Sequence, residues 1–191
     1  MKNRFTYTLK AWPIIAAATI GLCYLTQTVA KLFGIDLPDQ ENIELVRNSI
    51  GWNWNFAFLC AQILVFLPAL EELIFRLLLV MLPSRIAAKR ESSLRASHPP
   101  CHSSHFTLYI LHFAFYILAF LSSLLFSAAH YITQPFPDAA FVALFFFGLA
   151  QCWLYRRTDR VWCAMLNHGL FNLTNLVLLF VLPLFQSTPA P

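Results

Sequence analysis

Long apolar runs separated by short polar segments constrain this chain more than any other feature. About 20 apolar residues cross a ~30 Å hydrocarbon core as a helix. Runs of roughly that length (17–25 residues) or more begin at Ala11, Trp54, Phe106, Ala139 and Val161. In lipid a backbone must satisfy its own hydrogen bonds, and within one segment only a helix does so. The pattern therefore predicts an all-α, polytopic transmembrane bundle of about five spans, with residues 1–191 forming one integral membrane domain in the lipid bilayer. Composition agrees: 12% of residues are charged and 59% hydrophobic, against about 25% charged in a soluble domain. The net charge of +4 gives no nucleic-acid signal, because the basic residues sit in short segments between apolar runs. The five cysteines contain no CxxC pair, and their odd number and irregular spacing argue against a disulfide framework.

Span one runs from Ala11 to Phe33 behind Lys2, Arg4 and Lys10. It is longer than a signal-peptide core and reads as retained. An acidic segment with Asp36, Asp39, Glu41 and Glu44 follows. Span two, Trp54–Leu82, would reach about 43 Å as one helix. Pro68 inside it predicts a break into two pieces, the second starting near the proline. Residues 83–105 read as a polar cytoplasmic loop with Arg85, Lys89, Arg90 and Arg95. Spans three (Phe106–Tyr131), four (Ala139–Tyr155) and five (Val161–Phe185) are joined by the turns 134–138 and Arg156–Arg160. With a cytoplasmic amino terminus, five spans place every basic segment inside, as the positive-inside rule requires. No organelle signal is evident, which points to a bacterial inner membrane.

Ionisable groups inside apolar runs are costly and mark function. Span two carries Glu71, Glu72 and Arg76 among leucines. Glu72 and Arg76 are four apart, the spacing of an ion pair on one helix face. Glu71 points about 100° away and is left to face a cavity. His130 ends span three, with Phe126 one turn before it. In span five His168, Asn172 and Asn175 fall at i, i+4 and i+7, one polar stripe. The alternatives are a packing network for Glu71, Glu72 and Arg76, an interfacial histidine for His130, and hydrogen-bond glue between helices for the span-five stripe; for Asn175 glue is the better reading. Together Glu71, His130, His168 and Asn172 make a set that can hydrolyse. A carboxylate can serve as general base and imidazole can share the water. A histidine and a carboxamide can donate to an oxyanion. Glu71, His130 and His168 could instead hold a Zn²⁺ with an open position. Convergence requires span three to tilt, or His130 to sit below its helix end, because His168 lies about 12 Å into span five.

Glu71-Glu72-x-x-x-Arg76, Phe126-x-x-x-His130 and His168-x-x-x-Asn172, in this order on separate spans, resemble the motifs of the CPBP intramembrane proteases. These are also called the Abi or CAAX-protease family and include Rce1-type prenyl-protein endopeptidases and myxosortase-like members. The resemblance runs from about Pro68 to Asn175 and takes in Phe147-Gly148 and Tyr155–Thr158. Leu77 stands where many members have glycine, and the loop after the first motif is longer and more basic than usual. The resemblance implies that Glu71 and His130 activate water, that His168 and Asn172 hold the oxyanion, and that Glu72, Arg76 and Phe126 support the site. It implies a metal-free glutamate mechanism without a cofactor and a membrane-anchored protein or peptide, lipidated in some members, as substrate.

Two other functions fit parts of the pattern. A membrane immunity or scaffold protein could keep the fold without catalysis. A proton relay would also use intramembrane Glu and His, but would predict inverted repeats, and no internal repeat is found. His98, Cys101, His102 and His105 are metal-capable but match no zinc spacing. The charge bias places the site toward the outer face, which favours an exported, membrane-anchored substrate over a cytosolic prenylated tail. A topology reporter fused within Arg156–Arg160 should report the cytoplasm; an external signal there would contradict this arrangement.

Overall fold

The computed structural model describes residues 2–35, 54–97, 104–133 and 139–186. Among them the fold is all-α, with five helical rods. The first is α1 (Lys2–Leu32). It starts nine residues before the expected Ala11, since nothing in Lys2–Lys10 breaks a helix and Thr8 Oγ1 donates back to the Arg4 carbonyl at 3.0 Å. The acidic segment that follows the first span lies outside the described residues, as do residues 134–138.

The second rod differs most from expectation. It runs without interruption through α2 (Trp54–Ala61), a π-helical turn π1 (Gln62–Phe66), α3 (Leu67–Glu72), a second π stretch π2 (Leu73–Met81) and α4 (Leu82–Ser97). Pro68 does not split the helix. The ladder widens instead, with Leu67 N–H reaching back five residues to the Gln62 carbonyl, and Pro68 falls in the first turn of α3, where its missing N–H is tolerated. In π2 the Leu82 N–H reaches the Leu77 carbonyl. There the Ser122 hydroxyl enters the ladder by donating to the Phe75 carbonyl, and such side-chain insertions locally deform helices. The predicted loop 83–105 is likewise corrected. The helix continues to Ser97 and the next begins at Ser104. Arg85, Ala87, Ala88, Lys89, Arg90 and Leu94 are good helix formers, and Pro83 occupies a first-turn position. Residues 98–103, with His98, Cys101 and His102, lie outside the described residues.

The remaining rods are α5 (Ser104–Thr133), α6 (Ala139–Thr158) and α7 (Val161–Gln186). α5 packs along α6, and Gly148 allows the approach: a Cβ there would lie 2.9 Å from Ser123 Cβ. α1 lies against α6 and α7, where Trp12 Nε1 donates to Thr174 Oγ1 at 3.1 Å. α3 and π1 rest on α7, and π2 on α5. The central core contains Ile15, Phe126, Phe147, Leu154 and Phe171. Cys23, Cys60, Cys152 and Cys163 are free thiols. Among the described residues two helical stretches, Asn3–Leu32 and Phe113–Tyr131, are long and apolar enough to cross a membrane.

The turn between α6 and α7 is held at Asp159, which takes the left-handed conformation (φ 52°) and donates its N–H to the Tyr155 carbonyl at 2.7 Å, a helix-ending geometry. Its carboxylate accepts from Arg85 Nη2 at 2.9 Å and from Tyr155 Oη at 3.3 Å, tying α4 to the turn. The hydrogen bond from Arg85 holds the Asp159 carboxyl below its ordinary value of 3.8. A depressed carboxyl contributes stability above its unfolded pKa and loses it as pH falls through the folded one. Both side chains are more than half exposed, so the contribution is small, about 0.2–1 kcal/mol. Asp159→Asn, which keeps the left-handed turn accessible, should lower the melting temperature slightly at pH 7. The gap should close only as pH falls through the folded pKa, which lies below 3.8; a gap that persists unchanged into strong acid would contradict the link.

Candidate functional site

The site is built on the six residues between the π stretches, Leu67–Glu72. α3 ends Glu71-Glu72, and one step of about 100° sends the two carboxylates different ways. Glu72 is fully buried, with Oε2 3.2 Å from Arg76 Nε, itself fully buried and one turn along. Arg76 extends to α5, where Nη1 donates to Ser122 Oγ at 3.2 Å, and its guanidinium carbon lies 5.1 Å from the centre of the Phe126 ring. A buried ion pair needs such additional partners, because desolvation of two charges otherwise exceeds their attraction.

The second partner of Glu72 is His168 on α7: Oε1 is 3.0 Å from Nδ1. A carboxylate only accepts, so Nδ1 carries the hydrogen. That leaves His168 Nε2 pointing to Glu71, 3.5 Å from Oε2. The other Glu71 oxygen, Oε1, lies 3.8 Å from His130 Nε2. His130 Nδ1 is 2.9 Å from the Phe126 carbonyl one turn back, so it too carries hydrogen on Nδ1 and presents Nε2 to the carboxylate. Glu71 thus stands between two imidazoles, each fixed through its far nitrogen. Glu71 and His130 keep 23% and 28% of their side-chain surface accessible, whereas His168 keeps 4%. The cluster is therefore accessible through Glu71 and His130 rather than through His168. The depth condition is met because α5 continues to Thr133, leaving His130 below the helix end.

Aromatic rings wall the cluster. Phe126 lies 4.5 Å from the His130 ring and 5.9 Å from that of His168, and Phe147 of α6 lies 5.0 Å from His168. Such rings supply apolar contact and keep water from the inner edge of the imidazoles. Asn172 is near but differently engaged: Nδ2 donates to the Ile63 carbonyl of π1 at 2.8 Å. Asn175 is exposed on α7 rather than buried between helices. Sequence reasoning missed Ser122, the contact of Glu72 with His168, and a fully buried pair, Gln151 Nε2 donating to Asn167 Oδ1 at 3.0 Å. Ser122 had a signal, since Ser122, Phe126 and His130 repeat every four residues on α5. Among the described residues no group of three or more His, Cys, Asp or Glu is arranged to hold a metal ion. In the alternative zinc set Glu71, His130 and His168, both Nε2 atoms face Glu71, while Nδ1 of His168 is held by Glu72 and Nδ1 of His130 by a backbone carbonyl, outer hydrogen bonds that metal-bound histidines also make.

A family model described as type II CAAX prenyl endopeptidase Rce1-like matches residues 53–174, about two thirds of the chain and every element of the cluster. α1 lies outside the match. No curated protein and no solved structure matches.

Removing one member of a buried pair leaves the other charged and unpaired, at about 3–5 kcal/mol. Arg76→Ala should therefore lower the yield of folded protein and its melting temperature far more than Glu71→Gln, whose carboxylate is partly exposed. Equal thermal stability of the two variants would contradict the placement of Arg76.

Proposed function

The chain belongs to the Rce1-like type II CAAX prenyl endopeptidase family, and from that premise we propose that it is an intramembrane endopeptidase of the glutamate type. Its substrate is a membrane-anchored or lipidated protein or peptide. The observation that carries this reading is the sharing of one carboxylate, Glu71, between Nε2 of His130 and Nε2 of His168.

In the proposed reaction a water molecule held between Glu71 and His130 attacks the scissile carbonyl carbon, and Glu71 takes its proton. His130 assists by accepting through Nε2, its Nδ1–H being fixed on the Phe126 carbonyl. The new C–O bond leaves negative charge on the former carbonyl oxygen. His168 Nε2–H and the second amide hydrogen of Asn172 stabilise that charge, the kind of preorganised donation that lowers such barriers most. In that role His168 carries hydrogen on both nitrogens, with Nδ1–H held by Glu72. The intermediate collapses by breaking the C–N bond, and the proton held by Glu71 passes to the leaving amine. No step requires a metal or cofactor.

A membrane setting for this chemistry is supported by the family and by the two helical stretches able to cross a bilayer. A five-span arrangement is further supported by large apolar side chains left exposed on every rod, among them Ile14, Phe58, Leu70, Phe113, Phe146 and Val177. The same reading puts Arg85 and Arg156–Arg160 on the cytoplasmic side.

The test uses full-length protein in nanodiscs, a fluorogenic farnesylated peptide ending in a CAAX sequence, and a panel of exported membrane-anchored proteins. Wild type should cleave at least one of them, with activity kept in a chelator. Glu71→Gln should lose about 10²–10⁴-fold in kcat, the scale of a general base. Loss in chelator with rescue by zinc would return the site to metal chemistry. Full activity in Glu71→Gln would remove Glu71 as the base. Cleavage of none of them would favour a non-catalytic membrane protein of this fold.

A further inference from the structure

Between the proline turn of the second rod and α7 the backbones come unusually close. A Cβ built on Gly169 would overlap the Leu64 carbonyl oxygen well inside any van der Waals distance, so α7 rests here on a carbonyl. Three residues later on the same helix, Asn172 Nδ2 donates to the carbonyl of Ile63. Two adjacent π1 carbonyls therefore face α7.

Pro68 accounts for both. In α-helical register the Leu64 carbonyl would accept from the N–H of residue 68, and in π register the Ile63 carbonyl would accept from that same N–H. Proline has none, and Pro68 is buried. The ladder thus offers these two oxygens sideways, one to a glycine Cα and one to a carboxamide. Cα–H contacts to carbonyls recur at close helix crossings, and small residues make such approaches feasible in membranes.

We propose that Gly169 is a positioning residue. By letting α7 seat on the Leu64 carbonyl beside Pro68, it sets the distance between His168 and the Glu71–Glu72 pair. His168 is its neighbour in sequence, and Nε2 and Nδ1 of that ring are held at 3.5 and 3.0 Å from the two glutamates. These glutamates lie three and four residues beyond Pro68 on the rod that supplies the carbonyl. A methyl group at position 169 forces the rods apart by on the order of 1 Å, and a misplacement of that size costs about 100-fold in rate. The inference rests on the proteolytic reading above, because the rate it concerns is that of peptide hydrolysis.

The experiment is a double-mutant cycle of Gly169→Ala and Pro68→Ala in the full-length protein in nanodiscs, using whichever substrate wild type cleaves, with a structure of Gly169→Ala determined in parallel. Gly169→Ala should lower kcat by about 10–100-fold and leave KM within about threefold, a split that general unfolding does not give. Alanine at position 68 restores the N–H that draws the Leu64 carbonyl back into the ladder. The double variant should therefore be less impaired than the product of the two single losses. Gly169→Ala with kcat within twofold of wild type, or single losses that simply multiply, would overturn the proposal. Should Gly169→Ala fail to fold, Pro68→Ala alone decides: a kcat several-fold below wild type at unchanged KM supports the joint, and full kcat overturns it. A wild type that cleaves nothing would sink the proteolytic reading. The structure then decides the joint separately: unchanged spacing of π1 and α7 and an intact Asn172–Ile63 bond in Gly169→Ala contradict it.

Discussion

Everything at the centre of this protein depends on one fully buried carboxylate, that of Glu72. Its two oxygens have separate tasks. One faces Arg76 on its own rod, and the other takes the Nδ1–H of His168 from another. The first contact neutralises the charge, and the second uses it to orient a ring. Arg76 in turn reaches Ser122 and the face of Phe126 on α5. A single buried ion pair thereby references the second rod, α5 and α7 to one another. Glu71 is then left at the meeting point of two imidazoles whose orientations are already fixed.

The π stretches on either side of Glu71 and Glu72 make this convergence possible. A regular α-helix around a proline would kink or lose a hydrogen bond. Here the rod stays continuous by widening, and the carbonyls released near Pro68 are taken up by α7. On the other side, the second π stretch accepts the Ser122 hydroxyl at the Phe75 carbonyl next to buried Arg76. Irregular backbone thus brackets Glu71 and Glu72, and π turns tend to gather at functional sites.

Much of this was legible in the sequence, for definite reasons. Apolar run length announced five helices, and four-residue spacing announced the Glu72–Arg76 pair, because helix geometry is local. The orthogonal aim of Glu71 followed from the same geometry. What could not be read were features set by contacts between rods. Glu72 meeting His168 spans 96 residues, and no local spacing encodes it. Pro68 predicts a break, because proline removes a hydrogen bond in any register; whether the ladder breaks or widens depends on what α7 offers opposite it. The helix over Leu82–Ser97 was obscured by serines and charges that resemble a loop, although its arginines, lysine and alanines favour a helix. Asn172 shares a stripe with His168, but its bond to Ile63 depends on the proline turn, which no local spacing encodes.

The dependence of the site on Glu72 can be measured without a substrate. Nitrogen NMR of the histidine-labelled full-length protein reports which ring nitrogen of His168 carries hydrogen, with His168→Gln identifying the signal. The account predicts a protonated, hydrogen-bonded Nδ1 whose resonance moves when Glu72 is replaced by glutamine. A His168 ring with an unprotonated Nδ1, or one indifferent to Glu72→Gln, would contradict it.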